Sequence, residues 1–459
     1  MKNSDIKITG VRLYLPRIPM RVPIKFGNQV MADITCARVM MAVESRDGRK
    51  CSGWSESVLS PGWSWPGTDP DRGRRMEEFC VKIAKAWAEF SDCGHPIELS
   101  TAFTAGKLEE IRAAANTGYD IELPHLAALN CAAAFDAALA DAFGRLAGKP
   151  FFCCCNAEYM NRDLASFLEP ADLFKGKYPE DFFVAPSSEL PVWHLVGGKD
   201  PLCREELSGD EPDDGFPVLL EDWIRRDGLK CLKIKLRGND APWDYERIAA
   251  VGRIALKLGV TDLSVDFNCM VTDPEYVNGI LDKLKVQEPE IYAILLYVEQ
   301  PFPYDLEANR IDVHSVSRRK MLFMDESAHD WRYIRMGRDL GWDSVALKSC
   351  KTLAGAILSL CWAKAHGMSL MVQDLTNPRM SMFAHTQLAA YAGTIKGVEC
   401  NAPQFYPAAS LPDEKFYPGL FERRNGAVKL DFLEEPGLGI REGIIDIELP
   451  EPAAEEGIL

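Results

Sequence analysis

The sequence predicts an α/β protein whose larger part is a closed parallel (β/α)8 barrel of the TIM type, preceded by an α+β segment. Three observations carry that expectation. From Pro191 onward, short β-rich runs alternate with amphipathic helical stretches. Eight strands can be drawn with seven helices between them, the count a closed barrel needs. No Gly-x-Gly-x-x-Gly turn follows the early strands, which argues against an open doubly wound sheet.

Taken in order, Ile6 to Leu15 and Ile34 to Val43 alternate apolar and polar residues, and Asp47-Gly48 turns the second run toward a third strand, Lys50 to Val58. Between the first two, Val22 to Met31 is expected as a mobile loop. Helices are expected at Arg74 to Phe90, at Lys107 to Asn116 (with Glu109 and Arg112 on one face) and at Leu126 to Leu146, which Gly148-Lys149-Pro150 ends. Cys153 to Leu190 has no clear period and several prolines, and reads as an insertion on the surface or over a site. The barrel strands are expected at Pro191–Val196, Cys231–Leu236, Asp262–Asp266, Ala293–Glu299, Met321–Asp325, Ser344–Lys348, Ser369–Val372 and Gly397–Cys400. The helices between them are expected near Val218–Arg226, Trp243–Leu258, Pro274–Val286, Asp305–Arg318, Trp331–Leu340, Leu353–His366 and Met380–Ala392. This divides the chain into an N-terminal α+β domain (1–135), a barrel (136–405, with the insertion near 153–190) and a C-terminal segment (406–459).

The formal net charge of −16 argues against a nucleic-acid partner, because phosphate binding is driven by Lys and Arg. No apolar run reaches the roughly 20 residues of a membrane span, and the start has no apolar h-region, so a cytoplasmic protein is expected. Fourteen cysteines show no Cys-x-x-Cys pair, and the consecutive Cys153, Cys154 and Cys155 do not suit one tetrahedral metal. They are expected to be small buried hydrophobes kept reduced.

Chemistry is legible at the strand ends. Lys233-Ile234-Lys235 ends the second barrel strand, and residues two apart point to one face, so both ammonium groups project inward. Burying two lysines is costly unless anions compensate. Asp266, Glu299, Asp325 and Lys348 end the next four strands, at steps of 31, 33, 26 and 23 residues from Lys235. Each step is one βα unit, so these charges gather at the C-terminal rim, where barrel active sites sit. Three carboxylates on adjacent strands make an all-oxygen set for which Mg2+ is the natural occupant.

The set Lys233-Ile234-Lys235, Asp266-Phe267-Asn268, Glu299-Gln300-Pro301, Asp325-Glu326-Ser327 and Leu347-Lys348 resembles the signature of the enolase superfamily. The lysine on the sixth strand is similar to that of its muconate-lactonizing-enzyme subgroup, within the mandelate racemase/muconate lactonizing enzyme family. Gly53-Trp54-Ser55-Glu56 resembles a strand of that family's capping domain, and Asn425-Gly426 with Pro436 to Ile440 resembles its C-terminal tail. The resemblance implies a modified barrel whose N-terminal capping domain is completed by the tail. It implies a Mg2+-dependent enzyme that removes the α-proton of a carboxylate substrate to give a metal-stabilised enediolate. Asp266, Glu299 and Asp325 would be the metal ligands, Lys235 and Lys348 the opposed acid/base pair, and Lys233 a neighbour of the carboxylate that also depresses the Lys235 pKa. Asn268 and Glu326 would support these groups from behind. Racemisation or epimerisation is favoured over dehydration or cycloisomerisation, since two lysines serve both faces. A catalytically silent barrel that binds a small molecule is the alternative. A homo-oligomer is expected.

Specificity should lie in the remaining rim. Dipeptide epimerases of the subgroup carry Asp-x-Asp on strand eight, where this chain has Cys400-Asn401-Ala402. Strand seven runs into Gln373-Asp374 rather than a histidine, so both are candidate substrate contacts, as are Lys25 in the expected lid and Trp63 and Trp65. Trp193 and His194 are expected near the rim, and His329 is a further candidate.

Overall fold

The structure, a computed structural model, describes residues 1–26, 29–445 and 449–457. Its N-terminal sheet is built on β1 (Ile6–Tyr14), β2 (Arg17–Phe26), β3 (Gln29–Ser45) and β4 (Lys50–Leu59), with β3 pairing antiparallel to the other three. Sequence patterning misses β2 because Pro19 and Pro23 interrupt it; an edge strand tolerates them, and among the described residues β2 pairs with β3 alone. The expected lid loop, Val22 to Met31, is therefore largely a hairpin, with Ile24 opposite Met31. Residues 27–28 of that stretch lie outside the described residues.

Helices α1 (Arg72–Ala88) and α3 (His125–Ala147) pack on this sheet, and α2 (Pro96–Phe103) packs against α3. Gly53 of β4 is required by the closeness of α3: a Cβ there would lie 2.1 Å from the Ala142 nitrogen. By length and apolarity α3 could cross a membrane, contrary to the reading that no such run exists, but it is wholly buried. Its alanines are apolar all round because sheet, barrel and tail surround it.

The barrel strands are β5 (Glu189–Val196), β6 (Cys231–Lys235), β7 (Asp262–Asp266), β8 (Leu295–Glu299), β9 (Met321–Met324), β10 (Ser344–Leu347), β11 (Ser369–Val372) and β12 (Val398–Glu399). Parallel ladders run from β11 down to β5 and on to β12. Between β11 and β12 the ring closes without a ladder: Ile395 N–H donates to Leu370, and Asp374 N–H donates to the Glu399 carboxylate at 3.1 Å. Trp193, Cys231, Tyr297, Phe323, Ala346 and Met371 fill the lumen below the rim.

The barrel helices are α4 (Leu220–Asp227), α5 (Ala241–Lys257), α6 (Pro274–Gln287), α7 (His314–Ser317), α8 (Trp331–Leu340), α9 (Leu353–Ala365) and α10 (Ser381–Ala392). The expected helix Asp305–Arg318 shrinks to α7. Asp305 accepts from the backbone N–H groups of Glu307 and Ala308, and Asp312 from that of His314, local bonds that compete with helix. Ala293 belongs to a short helix, Pro289–Ile294, so β8 starts later than expected.

Residues 153–190 pack against the outer helices rather than over the rim. Phe152, just before them, stacks on Tyr391 of α10 at 4.6 Å, while Trp362 and Lys364 of α9 donate to the carbonyls of Glu169 and Phe182. The C-terminal chain adds β13 (Ala427–Lys429), antiparallel to β5, and returns to the first sheet as β14 (Ala454–Gly457), antiparallel to β1.

Candidate active site

Each charged strand end is buried, and each ammonium group meets a carboxylate. Lys233 Nζ lies 2.6 Å from Glu299, 3.2 Å from Asp266 and 3.3 Å from Glu399. Lys235 Nζ bonds Asp266 at 2.5 Å. On the far side, Lys348 Nζ lies 3.0 Å from Asp325 Oδ2 and donates to the Asp374 carbonyl at 3.0 Å. The β6 and β10 ends are four strands apart in a ring of eight, so Lys235 and Lys348 face each other across the mouth. Asp266, Glu299 and Asp325 occupy the arc between them.

The electrostatics follow from burial opposed by pairing. Desolvation alone would lower the Lys233 ammonium, but Glu299, Glu399 and Asp266 together hold it well above its usual range. Desolvation would raise Asp266, yet Lys235 and Lys233 hold it well below. Glu299 is pushed up, by burial and then by the charge of Asp266. Lys348 is raised, since Asp325 outweighs its desolvation. Glu326 is pushed up to about 7 by burial, then by Asp325 and Asp266.

The turns after the strands are strained where they approach this centre. Asn268, Cys269, Gln300 and Thr352 are non-glycine residues with φ of 44°, 65°, 29° and 73°. The Asn268 N–H donates to Asp266 at 2.8 Å and its side-chain amide to Glu326 at 3.2 Å. Gln300 accepts from the N–H of Asp325 at 2.7 Å and from the Ser327 hydroxyl, which orients the β9 turn.

The sequence candidates separate here. Lys233, Lys235, Asp325, Lys348 and Asp374 line one cavity, with Trp63, Ile24 and Met31 above them. Gln373 donates to Glu299 at 2.5 Å from behind. The Asp374 carboxylate instead ties the β11 and β12 turns, accepting from the N–H groups of Asn377 and Asn401 at 2.7 Å each. Lys25 alternates with Ile24 along β2 and does not line the cavity. Trp65 is in the small-domain core beside Arg75. Trp193 belongs to the lumen layer, and His194 points outward against Trp223 and Arg423, so neither reaches the mouth. His329 is buried beside Tyr333 and Tyr304 and held down to about 3 by burial, His125 and Lys351, which makes it a poor base. Nine of the fourteen cysteines are buried and all are free.

Past Trp63 opens a second, larger chamber of about 460 Å3. Its walls are Trp63, Pro66 and Thr68 from the small domain and Asn268, Met270, Tyr304 and Glu326 from the rim, among others. Three buried polar atoms of this wall lack a hydrogen-bond partner: Trp63 Nε1, Asn268 Oδ1 and Glu326 Oε2. Among the described residues the wall carries no lysine or arginine.

Residues 217–442 match the family described as enolase C-terminal domain-like. Over those residues, just under half of the chain, the protein is an enolase-superfamily barrel. Within it the kinship is with the mandelate racemase/muconate lactonizing enzyme family. The aromatic dipeptide epimerase of Herpetosiphon aurantiacus is 24% identical over 245 residues, 52% of this chain and 64% of the epimerase, so the match spans less than two thirds of that relative. N-succinyl Arg/Lys racemase from Bacillus cereus shares the fold at 17% identity, with a TM-score of 0.62 over 99% of this chain and 100% of the racemase. The dipeptide epimerase of Enterococcus faecalis, solved with Mg and the dipeptide L-Leu-L-Tyr, superposes with a TM-score of 0.62 at 16% identity, over 95% of this chain and all of the epimerase.

Two residues of this enolase-superfamily rim escape sequence reading. Glu399 ends β12 and is buried, with Asn401 donating to it at 2.7 Å and Lys233 beside it. The strand-end rule that found the other carboxylates would have found it too. Lys351 follows Lys348 by one tight turn and reaches Asp325 from below, and nothing in its spacing marks it.

Proposed function

We propose that this chain is a Mg2+-dependent enzyme that removes the α-proton of a carboxylate substrate and returns a proton to the opposite face, racemising or epimerising that carbon. The observation that supports this most is the placement of Lys235 and Lys348 on opposite sides of one cavity, with three carboxylates between them.

Asp266, Glu299 and Asp325 would hold the cation. Among the described residues no three acidic, histidine or cysteine side chains stand as a ready cage, because ammonium groups lie between the carboxylates. The donor chemistry nevertheless fits: the set is all oxygen, and buried Asp325 Oδ1 accepts no hydrogen bond. When bound, Mg2+ supplies positive charge beside the carboxylate oxygens on which the substrate's charge builds. Lys235 takes the proton from Cα, and the electron pair moves onto the carboxylate. Lys348, as the ammonium, gives a proton to Cα from the other side. Lys233 stays cationic among Glu299, Asp266 and Glu399 and offers its charge to the same oxygens. The chamber beyond Trp63 takes the non-reacting part of the substrate, and among the described residues its wall offers no cation to an anionic tail.

The test is α-proton exchange in D2O with Mg2+ across N-acylated amino acids, dipeptides, hydroxy acids, sugar acids and muconolactones. Deuterium should enter one of these classes in a Mg2+-dependent way, with inversion at the same carbon. Mg2+ binding with no exchange in any class would instead mark a barrel that binds without this chemistry.

A further inference from the structure

Asp325 is held by two lysines from one turn. Lys348 approaches Oδ2, while Lys351 lies 3.6 Å from Oδ1. The two cations differ in what else holds them. Both lie near the Trp63 ring, Lys348 at 4.7 Å and Lys351 at 5.6 Å, but Lys348 opens on the cavity. Lys351 is buried behind it, donating to the carbonyls of Asp325 itself and of Ala328, the latter at 3.1 Å. Its own turn is locked as well. Thr352 is left-handed and caps α9 through the Gly355 N–H, and the N–H groups of Leu353 and Ala354 donate to the Asp136 carboxylate of α3. The backbone just after Lys351 is therefore tied to α3, and the Lys351 ammonium group to the turn that carries Asp325.

We propose that Lys351 is a positioning residue for Asp325: it pins the Asp325–Ala328 turn and keeps the carboxylate in place when Lys348 turns to substrate. This rests on the reading that Asp325 helps hold Mg2+. Two effects oppose each other. An ammonium group 3.6 Å from a ligand oxygen repels a metal cation, so removing it would tighten binding through charge alone. Removing it also frees the turn, taking its donor from the Ala328 carbonyl and one of two donors from the Asp325 carbonyl, which weakens binding through geometry. The double anchoring of Lys351 argues that geometry wins.

The experiment titrates Mg2+ alone into the full-length protein by calorimetry, for wild type, Lys351→Met and Lys351→Arg, with melting temperatures recorded beside each. Lys351→Met should bind Mg2+ roughly 10- to 100-fold more weakly, the range typical when a metal ligand loses its support. Lys351→Arg, which keeps donors for both carbonyls, should recover most of that loss. A lower melting temperature with Mg2+ affinity within threefold of wild type would make Lys351 merely structural and overturn the proposal, and tighter binding would overturn it too. Should Lys351→Met not fold, Lys351→Gln is held to the same thresholds. Absence of Mg2+ binding by the wild-type protein would overturn the reading beneath it as well.

Discussion

Trp63 separates two spaces built on opposite electrostatic terms. On one side, four lysines and the carboxylates of the strand ends satisfy each other at 2.5 to 3.6 Å. On the other, a larger chamber keeps polar atoms without partners and, among the described residues, has no basic residue in its wall. Both belong to the same rim. The contrast separates reactivity from selection: closely paired charges can be exchanged for a metal and a substrate carboxylate, whereas a wall with unpaired polar atoms and no cation among the described residues discriminates against anionic groups.

The largest effect should come from breaking the charged side. Lys235→Ala and Lys348→Ala should each lower turnover by about 10^2- to 10^4-fold, the usual worth of a positioned acid or base, with the fold retained by circular dichroism. The two should differ in kind. Each variant should lose exchange on the face it serves first, so that deuterium uptake from the two enantiomers falls unequally. Full activity in either variant would sink the two-base arrangement.

A smaller effect should come from the chamber. A substrate with an aromatic or aliphatic tail should exceed one with a carboxylate tail in kcat/KM by on the order of a hundredfold, because a buried anion there finds no counter-charge. Met270→Lys should narrow that ratio by improving the anionic substrate. If both substrates respond alike to this change, the tail lies elsewhere.

The charged side was readable because barrel geometry converts sequence spacing into position. Asp266, Glu299, Asp325 and Lys348 could be placed on one rim from the length of a βα unit alone. The chamber was not readable. Its walls come from loops whose courses depend on tertiary contacts, and Trp63 and Trp65, two residues apart, end in different places. Strand β2 is hidden for a related reason, since its prolines are acceptable because, among the described residues, no strand pairs on its outer side. Asp305–Arg318 had a helical pattern, but two aspartates close local turns within it. Trp193 and His194 were misplaced through depth: the strand was correct, but the rim begins one layer above them.

The smallest effect tests the buried layer behind the chamber wall, where the contrast should disappear. His329 sits between Tyr304, which lines the chamber, and His125, with its pKa held near 3 by burial, His125 and Lys351. Its folded pKa lies below the unfolded value of 6.5, so its contribution to stability is complete above pH 6.5 and is lost as pH falls toward 3. At pH 5 the unfolded chain gains about 2 kcal/mol from protonating this one ring. Urea unfolding of His329→Phe should therefore improve relative to wild type by about that amount between pH 8 and pH 5. A constant difference at both pH values would mean that the ring takes up its proton at pH 5 in the folded protein as in the unfolded chain, and a cation beside Tyr304 would then open the chamber to anionic tails at that pH.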